Sequence, residues 1–452
     1  MEELAKITAV GRYEERMLFN VVSLGDPAQR LVYVTSQAVD PAIVEYYLRF
    51  VPDPDSARTR LSMVALDDPD IRPLSEKLLA LPDVVNRIRR LAGTPGQAYI
   101  VPFNVGPSDQ ALADSLGLPL HGPRPELAWL GSKSGARKVA RRAGVAVLAG
   151  DEDLFSVAAI EAAVAAIRRR QPEAESVVIK LNNGFSGQGN AMVTLETMAA
   201  ASDSLLDSPT TFCAPEESWP SFLAKIESEG AIVEELVRRP GLTSPSVQLR
   251  ISNAGALEVV STHDQVLGGP GQQVYLGCRF PADAVYRSAI REQALKVAQV
   301  LADEGVIGSF GIDFLVIPED SGVQIYLSEI NLRAGGTTHP FGMARLAMGA
   351  RYDQATGELV AGGVPKSYMA SDNVKSDSLV GVTPARMIEV VDRAGLAYDP
   401  VTCTGATLHL LGALEEFGKM GVTCIANSRE EADNLYKEVV ETMLTSTGSL
   451  DR

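Results

Sequence analysis

The chain has 452 residues, 46% of them hydrophobic and 22% charged, enough for about two to four packed domains. Its net charge is −16 and its pI about 4.9. That balance excludes broad binding to nucleic acid or an anionic membrane, which needs a basic face, and any anionic ligand must meet cations placed locally. The cysteines Cys213, Cys278, Cys403 and Cys424 are not spaced as a zinc site or a redox pair, which fits free thiols in a reducing cytoplasm. The start, MEELAKITAVGRYEER, lacks an apolar signal-like region, and no uninterrupted apolar run approaches about 20 residues, so a cytoplasmic protein is expected.

In chain order, LVYVTSQ (31–37) and AYIVPFN (98–104) predict strands and Leu78 to Leu91 a helix, together an open α/β domain over 1–128. A basic helix begins at Lys133, and an Ala-rich helix covers 156–170. ESVVIKLNNGFSGQGNAMVTL (175–195) predicts strand, Gly-rich loop, strand; AIVEELV (231–237) predicts a buried strand. SVQLRIS and ALEVVSTH continue as antiparallel strands, followed by an amphipathic helix at 284–304 and the strands SFGIDFLVI and VQIYLSEINL. FGMARLAMGA predicts a helix. The dense Gly, Pro, Ser and Asp of 362–384 suggest a linker or lid, and 385–452 a small C-terminal α+β domain.

The segment GIDFLVIPEDSGVQIYLSEINLRAGGTTHPF (311–341) carries the strongest chemistry. Glu329, Asn331 and Arg333 recur at spacing two, so they share one strand face. A turn at PEDSG pairs Ile317 with Val323 and Asp313 with Leu327. Glu329 then lies one diagonal from Asp313 on the same face, about 7–8 Å away. Two carboxylates and an amide oxygen suit magnesium, which takes oxygen ligands and keeps water and phosphate oxygens. Arg333 adds a planar cation for a carboxylate or phosphoryl group. A hairpin ending in a salt-bridged arginine is the plainer alternative.

Lys180 ends the strand VVIK just before Gly184, Gly187 and Gly189. Glycines let a loop turn its N–H groups toward phosphate oxygens. The flanking strands make this neither a Walker loop nor a Rossmann turn. Lys133 is a second candidate cation, although a lone lysine is most often a surface residue. Glu234-Glu235-Leu236-Val237 can offer backbone groups to an adenine edge.

Taken in order, Lys133, Lys180 with its loop, Glu234 to Val237, Asp313, and Glu329-x-Asn331-x-Arg333 resemble the ATP-grasp enzymes, over about 128–345. The resemblance implies an ATP-grasp domain at 129–361, two α+β subdomains enclosing ATP, and an ATP- and Mg2+-dependent carboxylate–amine ligase. It implies phosphate contacts from Lys133 and Lys180, and a closing loop at Gly184, Ser186, Gly187 and Gly189. Adenine contacts fall to Glu234, Glu235 and Val237, magnesium to Asp313, Glu329 and Asn331, and the reacting carboxylate to Arg333. Ser246 and Gln248 stand where many relatives carry an acidic ribose contact, and Gly311 stands where the D-alanine ligase branch has an arginine. THDQVLGGPGQQVYLGCRFPA, GGVPKSYMASDN and the tail 406–440 are similar to the pheganomycin-type peptide ligases. These join an N-guanidino amino-acid derivative to a peptide amine in peptide antibiotic biosynthesis.

His263, Asp264 and His339 are candidates for the base that takes the ammonium proton, or else hydrogen-bonded structural residues. Arg250 and Arg279 could bind a substrate carboxylate or form surface ion pairs. The partners expected are a small-molecule carboxylic acid and a peptide amine, with a homodimer open as the assembly and no nucleic acid or membrane. The rival functions are an L-amino-acid ligase making dipeptides and a non-catalytic ATP-binding protein on the same fold.

Overall fold

The computed structural model describes residues 8–94, 96–184, 189–195, 205–269, 271 and 274–447. They gather into two units. One holds Met1–Pro125, Gly277–Pro281 and Ala334–Arg452, and the other holds Glu126–Leu276 and Ala282–Arg333.

The second unit contains two antiparallel sheets. In the first, the strand order is Gly150–Leu154, Ala231–Glu235, Ser176–Leu181, Asn190–Thr194, Thr210–Phe212. Two helices cover one face. Val157–Arg170 is Ala-rich, and the hydroxyl of Ser156 caps it by accepting from Ala159 N at 3.2 Å. Trp219–Glu229 joins it, and Ile160, Val164, Phe222 and Ile226 bury against Val177, Ile179, Val193 and Val233. Because strand side chains alternate, Val178, Lys180 and Glu234 face the other way. There Val178, Met192 and Cys213 form a small apolar cluster with Leu236.

The second sheet runs Gly322–Asn331, Gly308–Glu319, Pro245–Ile251, Leu257–Gly268. The helix Ala284–Asp303 packs against the last three of these strands, with Ile290, Ala294, Val297 and Leu301 fully buried. The opposite face is left for polar side chains.

In the other unit both ends of the chain share one core. Leu18, Tyr47 and Met343 bury together with Met387, Leu408, Met420, Val439 and Met443. Separate domains at 1–128 and 385–452 were expected. Each end contributes only part of the apolar surface of this core, and periodicity does not show which surfaces meet. Residues 362–384 contain the strand Val364–Lys375, where a linker or lid was expected. Its punctuating residues cluster at its ends. Its middle pairs with Cys278–Phe280 on one side and with Lys419–Ala426 on the other, so tertiary pairing overrides composition. The expected helix from Leu78 to Leu91 is divided into Leu74–Leu79 and Pro82–Ala92, because Pro82 starts a new helix. AYIVPFN yields an isolated bridge, Ile100 to Leu120, in place of a strand. No described helix is long and apolar enough to cross a membrane.

Candidate active site

Lys133 is the first residue of the helix Lys133–Arg142. A cation there opposes the helix dipole, so helix stability does not account for its position. It is 6% exposed, and its Nζ donates to Gly184 O at 3.3 Å and to the carboxylate of Glu329. Asn182 fixes this geometry. Its backbone O accepts from Lys133 N at 3.1 Å, and its Oδ1 accepts from Ser134 N at 3.0 Å. Gly184 and Gly189 close the base of the Gly-rich loop back to back. A Cβ on Gly184 would stand 3.0 Å from Gly189 Cα, and one on Gly189 would stand 2.9 Å from Gly184 Cα. Ser186 and Gly187, expected on this loop, lie outside the described residues.

Lys180 donates to Glu234 Oε2 at 2.8 Å, and Arg137 donates to Glu234 Oε1 at 2.5 Å. Arg137 also bonds Glu152 Oε2 at 3.1 Å and Leu148 O at 3.1 Å. Glu234 is 1% exposed. Burial raises its carboxyl, but Lys180 and Arg137 outweigh this and hold it below the ordinary carboxylate value. Glu234 therefore acts here through its side chain. Its backbone is engaged in the sheet: Leu236 N bonds Ser176 O at 3.0 Å, and by the two-residue alternation of the ladder Glu234 faces Val178. The strand ends at Glu235, and Val237 lies past it with its backbone outside the ladder. Arg137 and Asn182 were not anticipated. The signal for Arg137 was its position four residues after Lys133 on one helix face.

The carboxylate hairpin differs from its expected register. Ile317 pairs with Gln324 and Phe314 with Leu327, one residue off. Alone, that slip would turn Asp313 and Glu329 to opposite faces. A β-bulge between Asp313 and Phe314 shifts the pairing again, leaving Ser328 as the extra residue, and Asp313 lies directly opposite Glu329. Asn331 Nδ2 donates to Asp313 Oδ2 at 3.1 Å. Burial pushes Asp313 up to about 7, and the neighbouring Glu329 adds to this. A hydrogen bond from Gln265 and the charges of Lys133 and Arg333 act against it. Burial raises Glu329 too, but Lys133 and Arg333 bring it below its ordinary value.

Register extends this row across the sheet. Asp313 faces Ser246, which faces His263. One row along, Asn331 faces Gly311, then Gln248, then Ser261. A Cβ on Gly311 would meet both amide atoms of Gln248 at 2.9 Å, so a larger residue there would turn the Gln248 side chain aside. Ser246 and Ser261, 1% and 0% exposed, have hydroxyls without a hydrogen-bond partner among the described residues. Burial pushes His263 down to about 3, so it is a neutral imidazole and a weak base.

Other candidates lie elsewhere. Asp264 is on the opposite face, where it accepts from Tyr286 Oη at 2.7 Å and Asp283 N at 3.1 Å, anchoring the helix that starts at Ala284. Arg250 is four residues along the strand from Ser246 and pairs with Glu258 at 2.5 Å. Arg279 and His339 belong to the other unit. Arg279 bonds Asp433 at 2.8 Å, and His339 is buried against His409. Among the described residues no three His, Cys, Asp or Glu cluster as a metal site. Two facing carboxylates and one amide oxygen are instead a partial oxygen set. It suits magnesium, which brings water and phosphate oxygens with it.

Two sheets, one offering a buried lysine beside a Gly-rich turn and the other a carboxylate hairpin, define the class, and the chain belongs to the ATP-grasp family. Residues 213–346 match the family model for IQCH-like ATP-grasp, and residues 387–439 match that for the PGM1 C-terminal domain. L-propargylglycine--L-glutamate ligase of Streptantibioticus cattleyicolor is 34% identical over 441 residues, covering 95% of this chain and 89% of that protein. IQ motif-containing protein H of Danio rerio is 23% identical over 363 residues, 69% of this chain but 34% of its own length. Among solved structures, a biotin carboxylase complex from Campylobacter jejuni superposes with a TM-score of 0.62 at 15% identity, covering 98% of this chain and 94% of that one.

Proposed function

We propose that this chain is an ATP- and Mg2+-dependent carboxylate–amine ligase acting through an acyl phosphate. The observation that carries the reading is the convergence of Asp313, Glu329 and Asn331 on one strand face, with Lys133 bonded to Glu329. The 34% identity to a ligase that joins two amino acids supports it.

The acid's carboxylate oxygen attacks the γ-phosphorus, the bond to the β-phosphate oxygen breaks, and ADP leaves. The amine then attacks the acyl carbon, phosphate leaves, and the nitrogen loses its proton. Such transfers depend on positioning and charge neutralisation. Asp313, Glu329 and Asn331 would hold Mg2+, which neutralises phosphate charge when bound. Lys133 and Lys180 meet the remaining phosphate oxygens, and Val237 offers its backbone to adenine. Arg333 steadies the carboxylate and the tetrahedral intermediate. Asp264 is fully engaged and His263 is a weak base, so neither is assigned the ammonium proton.

Two substrate readings follow. An N-guanidino acid joined to a peptide, as in peptide antibiotic biosynthesis, draws on the likeness to pheganomycin-type ligases and on the C-terminal match at 387–439. An amino acid joined to an amino acid draws on the 34% identical relative. ADP release with N-guanidino acids and plain amino acids, each offered amino acids and short peptides, separates them. Loss of ADP release in Arg333→Ala and Glu329→Ala, with each variant still folded and melting cooperatively, is expected. Full turnover in either variant refutes the site.

A further inference from the structure

The unit formed by the two chain ends holds a cleft of about 310 Å3 that the reading above does not use, and all of its lining residues lie between 30 and 91. Arg30, Arg60 and Arg90 line it with Thr59 and Ser62, and none of its lining residues is Asp or Glu. In a chain with 57 acidic and 41 basic residues, three cations in one cleft without an acid are not what composition supplies. The fold brings them together. Arg30 and Arg60 immediately precede Leu31 and Leu61, which pair as the first residues of the parallel strands Leu31–Thr35 and Leu61–Ala65. Arg90 stands in the last turn of the helix Pro82–Ala92.

Cations favour the last turn of a helix, and Arg60 and Arg90 each occupy one. That accounts for neither Arg30 nor the convergence. The partners of these arginines differ from those of their neighbours. Arg58 bonds Glu45 and Asp55, and Arg89, beside Arg90, bonds Asn86 and Ser115. Arg30 and Arg90 are exposed, and their side chains make no hydrogen bond or ion pair among the described residues. Arg60 is held by three backbone carbonyls, Leu24 O at 2.6 Å and Asp26 O and Gln29 O at 2.8 Å, and no carboxylate among the described residues pairs with it. The carboxylate of Asp26 turns back to Ala28 N at 2.9 Å. Like charges that share a cleft repel, and a bound anion removes that cost.

We propose that this cleft binds the phosphate group of a small anion, with Arg60 as the fixed charge and Arg30 and Arg90 as the arms that meet its oxygens. Guanidinium forks match phosphate oxygens, and the hydroxyls of Thr59 and Ser62 can donate to the remaining ones. Donors drawn from two strand entries and a helix end suit a tetrahedral dianion better than a flat carboxylate. The cleft is near the lower end of the range for small-molecule sites, about 300–1,000 Å3, so it has room for a phosphate ester as well as for free phosphate. The proposal is independent of the ligase reading, whose proposed phosphate contacts, Lys133 and Lys180, belong to the other unit.

The test is calorimetric titration of the full chain, without ATP or Mg2+, with inorganic phosphate, glycerol 3-phosphate and acetate. Both phosphates should bind saturably and acetate should not. Arg30→Gln and Arg90→Gln, at exposed positions and checked by melting, should each weaken phosphate binding about tenfold. Lys133→Gln should leave it unchanged, since that substitution touches only the proposed triphosphate contacts. The tighter of the two phosphates tells whether an ester or free phosphate is the ligand. Absence of saturable phosphate binding in the wild type overturns the proposal, as does binding that survives both arginine substitutions combined. Loss of binding in Lys133→Gln with retention in the arginine variants would place the anion in the ligase site and overturns it equally. Acetate binding as tight as that of phosphate would overturn the choice of a phosphate.

Discussion

Glu234 lies between two cations, and replacing it with glutamine keeps its volume while removing its charge. Arg137 would retain Glu152 at 3.1 Å, but Lys180 would lose its 2.8 Å partner. Removing one member of a buried ion pair costs about 3–5 kcal/mol. The retained Arg137–Glu152 pair places Glu234→Gln near the lower end, about 3 kcal/mol. For a unit of roughly 200 residues, each kcal/mol lowers the melting temperature by about 2–4 °C, so a fall of about 6–12 °C is expected. Calorimetry resolves this, and binding of a fluorescent ATP analogue checks the site. Adding Lys180→Met to Glu234→Gln should recover part of the loss, because it removes the stranded charge. A melt within 2 °C of wild type, or strictly additive losses in the double variant, would refute the reasoning.

Asp313→Asn removes like-charge repulsion from Glu329, so it should raise the melting temperature of the metal-free protein while abolishing ADP release in the ligation assay. Gly189→Ala places a Cβ 2.9 Å from Gly184 Cα, so it should open the loop base and weaken ATP-analogue binding about tenfold with little change in melting. His263 and His409 are pushed down to about 3 and about 4, chiefly by burial. Their folded values lie below the unfolded value of about 6.5, so the unfolded state takes up more protons on acidification. Stability is therefore fully present above about pH 6.5 and falls as pH drops toward 4, by of order 3 kcal/mol from His409 alone. Urea midpoints between pH 7 and 4 measure it, and a flat profile would contradict the burial of these rings.

Much of the second unit was legible in the sequence because its signals are local. Short apolar runs ending in VVIK and IVEE mark buried strands, the PEDSG turn marks a hairpin, and spacing two places Glu329, Asn331 and Arg333 on one face. The register at the tip was misjudged by one residue, since the run PEDSG marks a reversal without showing which of its residues make the turn, and the bulge beyond Phe314 has no turn residues to announce it. Asp264 was grouped with His263 because the two are adjacent, yet adjacency in a strand puts them on opposite faces. His339 was read as a candidate base because it follows the hairpin in the chain, yet only the fold shows it buried against His409, about 70 residues further on.

The carboxylate hairpin carries one bulge, between its acidic pair and its tip. The span from Gly322 to Leu327 keeps one phase and the span from Glu329 to Asn331 keeps another, with Ser328 as the joint. Deleting a single residue on the tip side of that joint would rotate only the tip, and deleting Ser328 would leave Leu327 opposite Phe314 and Glu329 opposite Asp313 in a regular ladder, so the acidic pair itself does not depend on the joint. Aligning relatives by the length of the hairpin tip would therefore mislead, and counting from the acidic pair is the sounder guide.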